Sequence, residues 1–163
     1  MSQVVILMGS KSDLPFVGRI TAALDDLGID YEQRVASAHK CAPYLLDLLQ
    51  SYESEGEVGV YITVAGRSNA LSGVVDANVT VPVIACPPYS EKFGGADVYS
   101  SLRMPSGVAP AVVLEPSGAA WLAAKILALG DASLRQRVLS AQRAQTEKVM
   151  AADGELNSGG KGA

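Results

Sequence analysis

Short runs of β-branched and aliphatic residues recur along the chain, and segments of helical length separate them. We interpret five of these runs as strands: VVILM (4–8), YEQRV (31–35), VGVYITVA (58–65), VPVIACPP (81–88) and AVVLE (111–115). The third run is apolar throughout, which is typical of a strand covered on both faces. Alternating strands and helices predict a parallel sheet with right-handed crossovers. We therefore expect an α/β fold, a three-layer α/β/α sandwich around a parallel, flavodoxin-like or Rossmann-like sheet.

The segments between the strands carry apolar residues at helical spacing. In the first segment such residues recur at offsets of three and four: Val17, Ile20, Leu24 and Leu27. Further helices are predicted over residues 42–56, 117–130 and 131–152. No linker or internal repeat divides the chain, so we expect one domain over residues 1–152. The small, polar end DGELNSGGKGA, residues 153–163, is expected to be a disordered tail.

Composition restricts the partners of the chain. Thirteen Lys and Arg against seventeen Asp and Glu give a net charge of −4, so no basic stripe for nucleic acid is expected. Two cysteines match neither a disulfide framework nor a zinc spacing, and one histidine without a carboxylate cluster predicts no metal site. The apolar N-terminal run is far shorter than the roughly 20 residues that span a bilayer. We expect a soluble, cytoplasmic protein with no membrane partner.

Small and polar residues follow the first three predicted strands, where ligands of open parallel sheets bind. GSKSD (9–13) turns into a helix N-terminus and suits a phosphate or a sugar, although an ordinary capped turn is an equal alternative. It is neither a Walker loop nor a dinucleotide fingerprint. AGRSNALSG (65–73) adds the donor fork of Arg67, while Ser68 or Asn69 could simply cap a helix.

His39, the only histidine, follows the second predicted strand in the stretch SAHK (37–40). A lone histidine is more often structural or exposed than catalytic. The position of His39 at the end of a strand, however, places it near the two other polar loops. Histidine is the side chain that most readily exchanges protons near neutral pH. His39 is therefore the candidate general acid/base.

Five motifs, taken in order, resemble one known family. MGSKSD, SAHK, AGRSNALSG, ACPP and SSLRMPSG are similar to motifs of the phosphoribosylaminoimidazole carboxylases of purine biosynthesis, and the match runs from about Val4 to Leu129. One branch of that family moves a carboxylate from N5 of its ribonucleotide substrate to ring carbon four. The other, class II, carboxylates aminoimidazole ribonucleotide directly with carbon dioxide. Lys40 in place of an arginine, GRSNA at 66–70 and the absence of a second histidine resemble the direct branch, with the mutase as the alternative.

The resemblance implies roles for the residues at the strand ends. His39 would be the catalytic acid/base, working without cofactor or metal. The substrate would be bound by eight residues: Ser10, Ser12, Asp13, Ser37, Lys40, Gly66, Arg67 and Ser68. The family also implies a homo-octamer, and the segment 86–107 would form a lid, a wall or a subunit contact.

The main alternative outside enzymes is a flavodoxin-like nucleotide-binding module. A flavodoxin would be expected to place aromatic residues beside the flavin, and few of the nine aromatic residues fall at the predicted strand ends. A receiver domain would need acidic residues where Met8, Gly9, Ala65 and Gly66 lie, so that alternative fails.

Overall fold

The computed structural model describes residues 4–158, with side chains described to residue 157. Within these residues five strands form one parallel sheet of order β2-β1-β3-β4-β5. The strands are β1 (Val4–Met8), β2 (Tyr31–Val35), β3 (Val60–Val64), β4 (Val83–Ala85) and β5 (Ala111–Val112). This order is the flavodoxin-like one, and it confirms the predicted parallel α/β sheet.

The central strands β1 and β3 are buried along their whole lengths, because helices cover both faces of the sheet. Side chains of a strand alternate between faces. Val4, Ile6 and Met8 accordingly belong to one core cluster, while Val5 and Leu7 belong to another. The two clusters make the molecule a three-layer sandwich, as predicted.

Each outer layer consists of amphipathic helices whose apolar side chains complete one of these clusters. The first layer contains α1 (Leu14–Asp26), α5 (Pro116–Leu127) and the start of α6 (Ala132–Ser158). The second contains α2 (Ala42–Glu55) and α3 (Ala70–Asp76). Four fully buried alanines of α5 let that helix approach the sheet and α1 closely: Ala119, Ala120, Ala123 and Ala124.

The later elements differ from the sequence prediction in their ends. β4 is shorter than 81–88 because Pro82, Pro87 and Pro88 have no N–H group for the ladder. β5 ends at Val112, whereas the strand was expected to reach residue 115. The next helix, α5, begins at Pro116, a residue type favoured in the first turn of a helix. The connection between β4 and β5 contains the one-turn helix α4 (Tyr99–Leu102).

The C-terminal helix α6 corrects part of the predicted tail. It continues to Ser158, so residues 153–158 are helical where disorder was expected. The preceding run QTEKVMAA consists mostly of good helix formers, which extend the helix across Gly154. The rest of the predicted tail, 159–163, lies outside the described residues. Among the helices described, none combines the length and apolarity needed to cross a membrane.

Candidate active site

A cleft of about 640 Å³ opens at the carboxyl ends of the strands, beside the junction of β1 and β3. The chain leaves β1 towards one edge of the sheet and leaves β3 towards the other, which makes this junction the switch point where such folds bind ligands. All nine predicted site residues line it: Ser10, Ser12, Asp13, Ser37, His39, Lys40, Gly66, Arg67 and Ser68. The structure thus brings the three predicted loops together.

The loop after β1 is closed by its own side chains. The Ser10 N–H donates to Oδ2 of Asp13 at 3.2 Å, and the Ser12 N–H and hydroxyl donate to Oγ of Ser10 at 3.2 and 2.9 Å. These bonds cap a 3-10 turn, Lys11–Asp13, that leads into α1. Asp13 therefore fixes the turn before α1, whereas its side chain does not cap α1 itself. Within the described part of the chain, Oδ1 of Asp13 has no hydrogen-bond partner.

Asp13 is half-buried, and its surroundings act on its carboxyl group in opposite directions. Burial raises the pKa of Asp13 above its ordinary value, while the Ser10 N–H and the charge of Arg67 act to lower it. Arg67 belongs to the loop after β3. The charge of a residue on another loop of the cleft thus acts on the Asp13 carboxyl group, but less strongly than burial or the Ser10 N–H.

The loop after β2 is a single turn that presents His39 and Lys40. Ser37 accepts the Cys41 N–H at its carbonyl (3.0 Å) and the Lys40 N–H at its Oγ (3.3 Å). The Ser37 N–H donates to Sγ of Cys41 at 3.2 Å, so Cys41, which had no predicted role, closes the turn. His39 and Lys40 are exposed to the cleft. Among residues 4–157 none hydrogen-bonds to the imidazole, which leaves both ring nitrogens to a ligand.

The loop after β3 contains an unusual backbone conformation. Arg67 has φ +59°, in the left-handed region that side chains adopt at a cost of about 1 kcal/mol or more. Its N–H donates to Oδ2 of Asp97 at 2.8 Å, and its carbonyl lies 3.0 Å from Oγ of Ser100. Tertiary contacts thus hold a loop that local preferences disfavour.

A buried polar network anchors the end of the same loop. The Nδ2 group of Asn69 donates to Oγ of Ser72 and of Ser101 at 2.8 and 2.9 Å. Oδ1 of Asn69 accepts the Ser72 N–H at 3.2 Å, which caps α3 as the sequence allowed. Oγ1 of Thr63, in β3, lies 2.7 Å from Oγ of Ser72. The network joins β3, α3 and α4 beneath the cleft.

The segment 86–107 supplies the fourth wall of the cleft through residues not identified from the sequence. Pro88, Tyr89, Ser90 and Lys92 line it. The tyrosine ring packs onto Gly95, where a Cβ atom would lie only 2.6 Å from Cε2. The pair Gly94–Gly95, with φ of +57° and +81°, was the sequence signal for this close approach.

The fold and the cleft define an α/β protein of flavodoxin-like topology with a polar ligand site at its switch point. A family model described as AIR carboxylase matches residues 3–148. The chain belongs to this AIR carboxylase family of purine biosynthesis.

Similar proteins cover nearly the whole chain. A phosphoribosylaminoimidazole carboxylase of Archaeoglobus fulgidus is 54% identical over 154 residues, which are 94% of this chain and 84% of that protein. A carboxylase of the same name from Treponema denticola is 49% identical over 94% of this chain and 96% of its own. The crystal structure of Treponema denticola PurE superposes with a TM-score of 0.91 at 49% identity, covering 94% of this chain and 97% of that one.

Proposed function

We propose that the chain carboxylates 5-aminoimidazole ribonucleotide at C4 with carbon dioxide, reversibly and without ATP, and that His39 is the general acid/base. The observation that carries the proposal is the convergence of His39 with three cationic side chains, several hydroxyl groups and one carboxylate in one cleft. Such a set combines a proton carrier with groups that suit a phosphorylated sugar. The names of the Archaeoglobus and Treponema relatives agree with this chemistry.

The polar groups of the loops suit different parts of the substrate. Ser10 and Ser12 suit the phosphate, and Oδ1 of Asp13, which has no partner among the described residues, suits the ribose hydroxyls. Lys40 and Arg67 offer positive charge to the phosphate and to the developing carboxylate. Ser37, Gly66 and Ser68 complete the binding surface, because Gly66 lets the ligand approach the backbone closely.

The reaction uses the substrate's own electrons. The exocyclic amine pushes density into the ring, and C4 attacks carbon dioxide to form the new C–C bond while one C=O electron pair moves onto oxygen. The ring is then cationic and C4 still carries its proton. His39 accepts that proton, and the C–H electrons restore aromaticity. In reverse, protonated His39 donates to C4, the C–C bond breaks and carbon dioxide leaves. Holding both reactants in one cleft supplies proximity.

The second candidate function is the mutase that starts from N5-carboxyaminoimidazole ribonucleotide and gives the same product. Three features favour direct carboxylation: Lys40, the loop sequence GRSNA over 66–70, and the presence of a single histidine in the chain. The mutase branch carries an arginine and a second histidine at the corresponding places.

A paired assay tests the proposal. One reaction contains aminoimidazole ribonucleotide with high bicarbonate and the other contains the N5-carboxylated compound, read at early times because that compound decays spontaneously. Formation of the C4 carboxylate in the first reaction is expected. Turnover that prefers the N5 compound would make the protein a mutase, and no turnover in either reaction would overturn both candidates.

Two wider properties are proposed with this function. The exposed apolar side chains of the single chain, among them Leu114, Leu129 and Met150, suit burial between subunits of a homo-octamer. Two free cysteines suit a reducing compartment, and we propose the cytoplasm.

A further inference from the structure

Asp97 lies behind the cleft and contacts the backbone of the loop that carries Arg67 and Ser68. Its Oδ2 accepts the Arg67 N–H at 2.8 Å and lies 3.9 Å from the point where a Cβ atom of Gly66 would be. A carboxylate acceptor makes this bond charge-assisted and stronger than one between neutral groups. The bond spans 30 positions of the chain, so it is a tertiary contact and not a property of the loop itself.

Ser100 holds the opposite side of the same peptide unit. Its Oγ lies 3.0 Å from the Arg67 carbonyl and 2.8 Å from the Asp97 carbonyl, and its single proton can go to either. The same oxygen accepts the Asn69 N–H at 3.0 Å. Asp97 and Ser100 together therefore contact the backbone polar groups of Arg67, the residue with φ +59°. A backbone in this region persists only where its surroundings fix it.

We propose that Asp97 is a positioning residue, which fixes the Arg67–Ser68 loop in the conformation that presents a cation and a hydroxyl group to the phosphorylated substrate. This inference rests on the proposed function. Asp97 belongs to the segment 86–107, whose residues Pro88 and Tyr89 line the cleft. The bond to Arg67 therefore also fixes the wall of the cleft relative to the binding loop.

The chain offers a matched control. Oδ2 of Asp76 accepts the Ala109 N–H at 2.7 Å, which is another bond from a carboxylate to a distant backbone N–H, and neither residue lines the cleft. D76A removes a bond of the same kind outside the site. D97N retains an acceptor oxygen at position 97 but removes its charge.

Steady-state kinetics with aminoimidazole ribonucleotide and bicarbonate test the role in binding. We expect D97A to raise KM about tenfold, with kcat changed less than about threefold, D97N to lie between D97A and the wild type, and D76A to keep the wild-type KM. A wild-type KM in D97A, or an equal rise in D97A and D76A, would overturn the proposal. If D97A does not fold, D97N decides: a KM above that of D76A supports the role, and an equal KM removes it.

Limited trypsin digestion followed by mass spectrometry tests the loop independently of catalysis. Cleavage after Arg67 should be about tenfold faster in D97A than in the wild type or D76A, because the released loop can enter the protease. Unchanged cleavage would overturn the positioning role. A wild-type protein that does not carboxylate aminoimidazole ribonucleotide would instead overturn the proposed function, and the cleavage pattern would still decide whether Asp97 holds the loop.

Discussion

Hydrogen bonds fix the backbone of the turn that carries His39, whereas no group in the described part of the chain bonds to the imidazole. Ser37 and Cys41 hold its backbone through their own hydrogen bonds, so replacing His39 leaves these bonds in place. We expect H39N to keep the fold and a KM within about threefold of wild type, while kcat falls by about 10²–10⁴ because no other group takes the C4 proton. Initial rates and a thermal melt measure both effects. Substantial turnover in a folded H39N protein would remove His39 from the mechanism.

Because of Cys86, we expect the free energy of unfolding to fall at alkaline pH. The side chain is fully buried, and burial, helped by Glu115 and opposed by Arg19, raises the pKa of its thiol from about 9 to about 12. As pH rises, the thiol ionises in the unfolded chain before it ionises in the folded chain. The stabilisation of the folded state by the buried, protonated thiol is therefore complete below pH 9 and is lost as pH rises towards 12.

The comparison of wild type with C86A isolates this effect. Between pH 8 and pH 10, the free energy of unfolding of the wild type should fall by about 1.4 kcal/mol more than that of C86A. Urea denaturation at the two pH values measures the difference, and ionisation of the tyrosines cancels in the comparison. Identical pH dependence in the two proteins would show that the buried thiol ionises as readily as an exposed one.

Three elements meet at Asn69, whose amide joins β3, α3 and α4 through serine and threonine hydroxyl groups. N69A removes the cap of α3 and leaves the buried Ser101 hydroxyl without its Asn69 partner, while the Ser72 hydroxyl keeps Thr63, so we expect a loss of about 2–3 kcal/mol in the free energy of unfolding. Asn78 provides the control: its amide donates to the Val74 carbonyl in an exposed position, and N78A should cost less than about 0.5 kcal/mol. Urea denaturation that gives equal values for the two variants would contradict the structural role of the network.

The elements differ in how far their sequences predict them. β1 and β2 have their predicted bounds, and the rule that ligands bind at the strand ends brings His39 and Arg67 into one predicted site. The connection 86–107 has no helical or strand period. The pair Gly94–Gly95 indicates a close approach in this segment but not that Tyr89 makes it, and no local pattern predicts the position of Asp97. The left-handed backbone of Arg67 likewise has no local signal, because the groups that hold it lie 30 or more positions away.

At the scale of the whole molecule, α6 is the element whose stability the contacts within a single chain do not explain. Leu134 and Val138 pack on the core, but every side chain from residue 142 to residue 157 is exposed, including Val149 and Met150. A helix without tertiary packing is only marginally stable in water. A neighbouring subunit that covers this part of α6 would supply the missing contacts, which is what the proposed octamer requires.

Light scattering coupled to size-exclusion chromatography measures the assembly directly. We expect a mass eight times the 16.9 kDa of one chain. M150D places a charge on the exposed apolar part of α6 and should lower the measured mass, because burying an unpaired carboxylate between subunits is costly. E147Q is the control, because it changes a nearby exposed residue of α6 without replacing an apolar side chain by a charged one. It should leave the measured mass unchanged. A wild-type mass of 16.9 kDa would contradict the octamer, and an unchanged mass in M150D would show that this part of α6 does not contribute to the contacts between subunits.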